Sequence, residues 1–347
     1  MKKKKIIIIV SAIVCLLLIA GGIIGYMFYK KLKQEPIIEQ ADGEIEVNET
    51  IVENKKSIYS GNDRPIAVMI DNNTDALPHG GLTKAYMVYE IIVEGGESRL
   101  MALFKGVNVD KIGPVRSSRH YFLDYALEND AIYTHYGWSP QAESDIKSLG
   151  VNNINGLTDD NAFWRVSDKK SPHNAVTSTS KILAMANKKG YRTTSTNDSV
   201  LKYSKDEVEL PETATVANNI TIPFSTSNTV KWQYDAENQS YIRFTKNKRE
   251  VDWDTKEDVK FKNIIVEFVK NSDLADSENK GRQTLNDLGT KDGYYITNGK
   301  AIKITCSKTS RASKTKYMDE DGKEIEVNDA NTFVEICPIN ANVKFAE

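Results

Sequence analysis

The densest polar cluster in the sequence is Gly113-Pro114-Val115-Arg116-Ser117-Ser118-Arg119. It leads into an expected helix, whose start offers free backbone N–H groups and the positive end of the macrodipole to an anion. Arg116 and Arg119, three residues apart, can add bidentate contacts to a carboxylate or phosphate. They can equally pair with the chain's own acids, Glu90 and Glu94 being the obvious partners. Those two glutamates fall in an expected hairpin whose turn is Gly95-Gly96. In that register Ile92 faces Arg99, and Glu90 and Glu94 lie diagonal to Arg99 on one face. A slip of one residue would carry Arg99 to the other face. Glu90 and Glu94 are also a candidate acid/base pair for glycan chemistry, one protonated and one ionised.

A second constellation is His135-Tyr136-Gly137-Trp138-Ser139-Pro140, running from a strand into a helix. Trp138 offers a ring to a sugar or peptide, and Ser139 reads as an N-cap with proline at the first helical position. The strained Gly-x-Ser-x-Gly elbow is absent, so this Ser–His pair does not define a serine hydrolase. The third constellation is Ser171-Pro172-His173-Asn174, preceded by Arg165 and a lysine pair. His173 there suits a general acid, a proton relay or a hydrogen-bond anchor, with Asn174 orienting a ligand. The four histidines, 79, 120, 135 and 173, match no helix-based ligand spacing, and no metal or cofactor is expected. Three cysteines exclude a disulfide scaffold and a four-thiolate zinc site; pairing of Cys306 with Cys337 stays open.

The elements that must position these residues come in mixed order. A strand is expected over residues 66–70, a hairpin over 85–105, and a helix from Ser117 or Ser118 to about Asn129. A strand over 131–136 follows, then helices from Ser139 to near Gly150 and over 177–189. Residues 192–218 are polar and without periodicity, which marks a boundary. Short β-type runs follow at 230–234, 241–244, 264–269, 293–296, 301–306 and 332–337, with turns such as Asn298-Gly299 between them. The fold class is α/β of α+β type, with helices in an N-terminal domain over 63–200, a linker over 201–218 and a smaller β-rich domain over 219–340.

At 347 residues, with 40% apolar and 27% charged residues, the chain can build an ordinary core, which excludes wholesale disorder. Seven lysines precede the first acid, Glu35, so the remainder carries 39 basic against 48 acidic residues, net −9. An acidic body excludes a nonspecific nucleic-acid binder. Residues 6–29 carry no charge and are long enough to cross a bilayer, behind the basic tip 1–5. Cys15 follows Val14, where a lipobox wants Gly, Ala or Ser, so an uncleaved signal anchor is expected rather than a lipid anchor. A cleaved signal peptide, with Ala20, Gly21 and Gly22 as its small residues, is the alternative. The N-terminus is then cytoplasmic, residues 30–62 form a disordered stalk, and the body is extracytoplasmic at the cell membrane.

The strings RPIAVMIDN, GLTKAYMVYEIIVEGGESRLMALF, KIGPVRSSRHYF, DAIYTHYGWSPQA and SPHNAVTS resemble the N-terminal domain of the YerB-like family of bacterial envelope lipoproteins. WQYDAENQSYIRF, GYYITNGKAIKIT and DGKEIEVNDANTFVEICP resemble its C-terminal domain. The resemblance implies a layered mixed-sheet sandwich and an envelope location, and no reaction. Two functions are carried forward. One is a noncatalytic module binding an anionic or amide-rich ligand, such as a cell-wall component or an envelope protein, through Arg99, Arg116, Arg119, His135, Trp138, Ser139, Arg165, His173 and Asn174. The other is a glycan hydrolase or lyase using Glu90 or Glu94.

Overall fold

A computed structural model describes residues 57–276 and 278–347. The expected membrane-crossing segment 6–29, the basic tip and stalk residues 30–56 lie outside the described residues. Among the described residues no helix is long and apolar enough to cross a membrane. Residues 57–62, expected to belong to the stalk, are tied to the body. Ser57 Oγ and Ile58 N donate to Asp329 Oδ1 at 3.0 and 2.8 Å, and the Tyr59 ring stands edge-on to Tyr86 at 5.4 Å.

The first half supplies β1 (Ile66–Asp71), β2 (Met87–Ile92), β3 (Ser98–Phe104), β4 (Ile132–His135), β5 (Asn153–Asn155), β6 (Trp164–Arg165) and β7 (Ala175–Val176). Its helices are α1 (Phe122–Glu128), α2 (Pro140–Ser148) and α3 (Thr179–Lys188). The second half begins with β8 (Thr215–Val216), β9 (Asn219–Pro223), β10 (Thr229–Asp235), β11 (Ser240–Thr245), β12 (Lys248–Arg249) and β13 (Lys260–Phe261). It continues with β14 (Asn263–Asp273), β15 (Gln283–Asn286), β16 (Gly289–Thr297), β17 (Lys300–Lys308), β18 (Lys316–Met318), β19 (Thr332–Pro338) and β20 (Lys344–Ala346).

Strands from both halves form one twelve-stranded sheet in the order β18-β17-β16-β14-β19-β2-β3-β1-β4-β5, with β15 beside β14 and β8 beside β17. The halves join where β19 runs parallel to β2, from Thr332 opposite Met87 to Ile336 opposite Ile91. A strand between two parallel neighbours is covered on both faces, and β19 is accordingly buried at every position. On one face lies the six-stranded sheet β12-β11-β10-β9-β20, with β13 beside β11. It brings Ile220, Val230, Trp232 and Phe261 against Val88, Leu100 and Phe333 of the large sheet. The other face, with Tyr89, Met101 and Val334, is covered by Phe122 and Tyr125 of α1 and Ile146 of α2.

Local signals set the helix starts. Ser139 Oγ accepts from Ala142 N at 3.3 Å with Pro140 next, and Ser178 Oγ accepts from Lys181 N at 3.2 Å. Helix α1 begins later than expected and has no side-chain cap. Ser117 Oγ instead donates to Tyr136 O at 3.0 Å, and Ser118 pairs through its backbone with Gly137 and Trp138. Segment 201–218 is bound to the body rather than free, because Leu201 and Leu210 are buried in the second core.

Candidate functional site

The β2–β3 connection differs from the expected two-residue turn. Val93 N donates to Glu97 O at 2.7 Å, which closes a five-residue loop over 93–97. Both glycines are left-handed (φ 68° and 74°), so the turn uses them, but Ile92 stands opposite Ser98 and Ile91 opposite Arg99. This offset of one residue sends Glu90 and Arg99 to opposite faces of the sheet. Glu94 stays with Arg99, its Oε2 lying 3.9 Å from Arg99 Nη2. The expected bracket of one arginine by two glutamates is thus two sites, one on each face.

The first site gathers at the carboxyl ends of β1, β2 and β4, which run parallel, the usual place for ligands in such sheets. Asp71 ends β1 opposite Arg99, the second residue of β3. The run 112–119 crosses these ends, with Arg116 N donating to Met69 O at 2.9 Å. Asp71 Oδ2 lies 3.2 Å from Arg116 Nε and 2.7 Å from His173 Nδ1. Arg119 Nε donates to both Glu94 oxygens at 2.9 and 3.0 Å, and its Nη1 to Ser118 O at 2.7 Å. Arg99 Nη1 donates to Ser117 O at 2.9 Å.

Three guanidiniums therefore share two carboxylates. Burial, followed by the neighbouring Arg119, brings Arg99 down to about 10, against the pull of Glu94 and Asp71. Burial alone would raise Glu94, but Arg119 and Arg99 hold it below its ordinary range, ionised at neutral pH. Arg116 is the open member of the group, its side chain 27% exposed.

The remaining expected residues surround this group. His135 is enclosed, with Nδ1 2.8 Å from Gly137 O and Nε2 3.3 Å from Asn153 Oδ1, and its ring lies between Tyr133 and Trp138. Burial pushes it down to about 4, so it is a neutral anchor for the 135–138 turn. Trp138 is half-buried on the second core, and Ser139 caps α2. Arg165 is exposed, donates to Asn174 Oδ1 at 2.6 Å and lies 5.0 Å over the Tyr136 ring. The structure brings Arg99, Arg116, Arg119 and His173 together around Asp71 and Glu94, while Arg165 and Asn174 form a separate exposed pair.

On the opposite face lies a network not singled out in the sequence. Glu90 is wholly buried, accepts from Asn72 Nδ2 at 3.0 Å and from Ser98, and pairs with Arg243 Nη2 of β11. Arg243, equally enclosed, also pairs with Glu250, which faces His79. Trp232 Nε1 donates to Glu335 Oε1 at 2.8 Å. Burial would raise Glu250, yet Arg243 and then His79 hold it at about 2. Burial, and then Glu90, push Glu335 well above the carboxylate range, so it is the protonated member. The signal was present as charge inside apolar strands: Arg243 between Ile242 and Phe244, and Glu335 between Val334 and Ile336.

This network, and not the arginine group, joins the two halves. The partners found for Arg116, Arg119, His135 and His173 (Asp71, Glu94, Ser118 O, Gly137 O and Asn153) all lie in the first half. At the network the halves meet in a packed, charged seam. A second clasp on it is Trp253, whose ring holds Lys111 Nζ at 4.2 Å and Lys169 Nζ at 4.0 Å. Among the described residues no group of three or more His, Cys, Asp and Glu is placed to hold a metal ion.

Residues 52–192 match the family model described as the N-terminal domain of a protein of unknown function, DUF3048, and residues 220–334 match its C-terminal domain. Among curated proteins, "Putative lipoprotein YerB" of Bacillus subtilis (strain 168) is 33% identical over 207 residues, which covers 58% of this chain and 61% of that protein. The matched part is thus less than two thirds of that relative's length. The crystal structure of the Bacillus subtilis YerB protein superposes with a TM-score of 0.73 at 28% identity, covering 82% of this chain and 94% of that one.

Proposed function

The chain belongs to the DUF3048 family, with both of its domains present, and on that premise we propose that it is an envelope module that binds an anionic ligand without transforming it. Its body would lie outside the cytoplasm, held at the membrane by residues 6–29 in place of a lipid. The observation that carries the reading is the surplus of guanidinium at the strand ends: Arg99, Arg116 and Arg119 against Asp71 and Glu94, with Arg116 open to solvent. A carboxylate or phosphate placed on Arg116 balances that surplus and makes charge-assisted hydrogen bonds. A cell-wall peptide ending in a carboxylate, or an acidic segment of an envelope protein, has this chemistry.

Acid–base catalysis fits the same residues less well. A general acid must hold its proton near the working pH and reach the substrate. Glu94 is kept ionised by Arg119, and Glu90 has no exposed surface.

Titration calorimetry of the full chain with a soluble wall peptide, free or amidated at its C-terminus, tests the proposal. The free peptide should bind and the amidated one should not. Arg116→Ala should weaken binding by about 10- to 100-fold, the worth of a charge-assisted bond of ~1.5–3 kcal/mol, with little change in melting temperature. A large loss of stability with unchanged binding would reduce Arg116 to a structural partner of Asp71. Release of mass-resolved products from wall fragments would overturn the noncatalytic reading.

A further inference from the structure

The two stacked sheets differ in width, and the smaller one stops short of the larger. Its last strand, β20, pairs with β9 on one side, Lys344 opposite Thr221 and Ala346 opposite Asn219. On the other side β20 has no strand among the described residues. The Phe345 ring stands edge-on to Tyr294 of β16 at 5.0 Å, which sets β20 over β16. The large sheet continues beyond that line through β17 and β18. With neighbouring strands about 4.8 Å apart, the overhang is roughly 10 Å wide, room for a further strand of the smaller sheet.

The overhang carries a groove of about 360 Å³. Phe268 and Tyr294 line it, and with Val343 and Phe345 they form the half-buried margin of the core between the sheets. The charged groups of the lining are Asp292, Asp319 and Glu320 against Lys303. Asp319 accepts from the turn amides of Asp321 and Lys323 at 3.0 and 2.9 Å. Asp292, Glu320 and Lys303 have no hydrogen bond or ion pair among the described residues. An apolar floor, a net negative rim and an unpaired strand edge therefore meet in one place, on residues that take no part in the arginine group.

We propose that this groove and the edge of β20 take an extended segment of a partner protein, in which apolar and basic residues alternate with polar ones. The segment adds to β20 through its backbone, as a further strand of the smaller sheet. Every second side chain then reaches the floor, where apolar groups cover Phe268 and Tyr294 and a Lys or Arg meets Asp292 or Glu320. Charge and shape disfavour the other occupants. The chain's own residues 35–53 hold seven acids and no Lys or Arg, so the rim repels them. A second copy continuing the same sheet from β20 would drive its own overhang into this one.

Fluorescence anisotropy and hydrogen-exchange mass spectrometry on the full chain test this, with the labelled peptide acetyl-Thr-Val-Thr-Arg-Thr-Val-Thr-amide as probe. In extended form it presents Val, Arg and Val on one side, and it should bind and slow exchange across residues 343–347. The peptide with Glu in place of Arg should bind about tenfold more weakly. N-methylation of alternate amides should abolish binding in one phase and spare it in the other, because only one edge of the peptide pairs with β20. Asp292→Lys, at an exposed position, should leave melting unchanged and weaken the Arg peptide by about three- to tenfold. Thr305→Trp should fill the groove and abolish binding. Failure of the Arg peptide to bind, equal binding of the Glu peptide, unchanged exchange over 343–347, or indifference to methylation phase or to both variants would overturn the proposal. Dimerisation of the peptide-free chain that protects the same residues would overturn it in favour of a second copy.

Discussion

Replacing Arg243 by Gln should open the seam between the halves by stranding its acids. Arg243 is wholly enclosed and pairs with Glu90 of β2 and with Glu250, so the variant leaves both carboxylates buried without their guanidinium. Breaking a buried pair from one side costs about 3–5 kcal/mol. Glu250 gives a second route to the magnitude. Burial would raise it, but Arg243 and His79 hold it at about 2 against an ordinary 4.5. At about 1.4 kcal/mol per pH unit, that depression corresponds to ~3 kcal/mol, in agreement with the first figure. A carboxylate depressed in the fold stabilises it above its unfolded pKa, and the contribution fades as pH falls through 4.5 toward 2. The gap between wild type and variant should therefore be largest near neutral pH and close in acid. Urea unfolding of the full chain from neutral pH down toward pH 3 measures it. A gap that stays constant with pH, or a neutral-pH cost below ~1 kcal/mol, would refute the assignment of the seam's strength to charge.

Glu267 has the opposite sign: burial raises it to about 7, with Oε1 accepting from Tyr317 OH at 2.9 Å. Its contribution is full below 4.5 and lost as pH rises to 7, so Glu267→Gln should flatten the stability–pH curve there by ~3 kcal/mol; parallel curves would refute this. Gly156→Ala would place a Cβ 2.1 Å from Tyr136 Cδ2 and should cost ~1–3 kcal/mol. In the background of Tyr136→Ala, which removes the obstructing ring, the same glycine substitution should cost much less in thermal melts, and a harmless single variant would contradict the packing. Cys306 and Cys337 are buried and free, on β17 and β19 with β16 and β14 between them. Thiol reagents should label them only after denaturation, with mass unaltered by reductant; labelling of the native chain would count against this.

Local structure was legible where a local signal exists. Ser139-Pro140 marks α2, and Asn298-Gly299 marks the turn between β16 and β17 because both act within a few residues. Arg119 met Glu94 as the spacing allowed. Gly95-Gly96 identified the hairpin but not its loop length, which the Val93–Glu97 bond sets, and the parity of every later residue in β3 followed that bond. Tertiary partnerships left no such trace. His173 reaches Asp71 across 102 residues and Arg243 reaches Glu90 across 153, and nothing in the spacing of either residue encodes the other. The large sheet was hidden for the same reason, since its central pairing joins strands from opposite ends of the body.

That pairing has a consequence for the order in which the chain is made. Strand β2 leaves the ribosome early, whereas β19, which completes it, lies near the C-terminus. Roughly 240 residues separate them, and at ~5–20 residues per second one edge of β2 waits on the order of 10–50 s for its partner. Through that interval the edge presents Val88, Tyr89 and Ile91 to any other strand, including the β2 of another nascent chain. A terminator placed before Thr332 would make the wait permanent. Quality control of this protein is thus concentrated on β19, and chains that lose it should be recovered from cells as aggregates rather than as half-sized folded fragments.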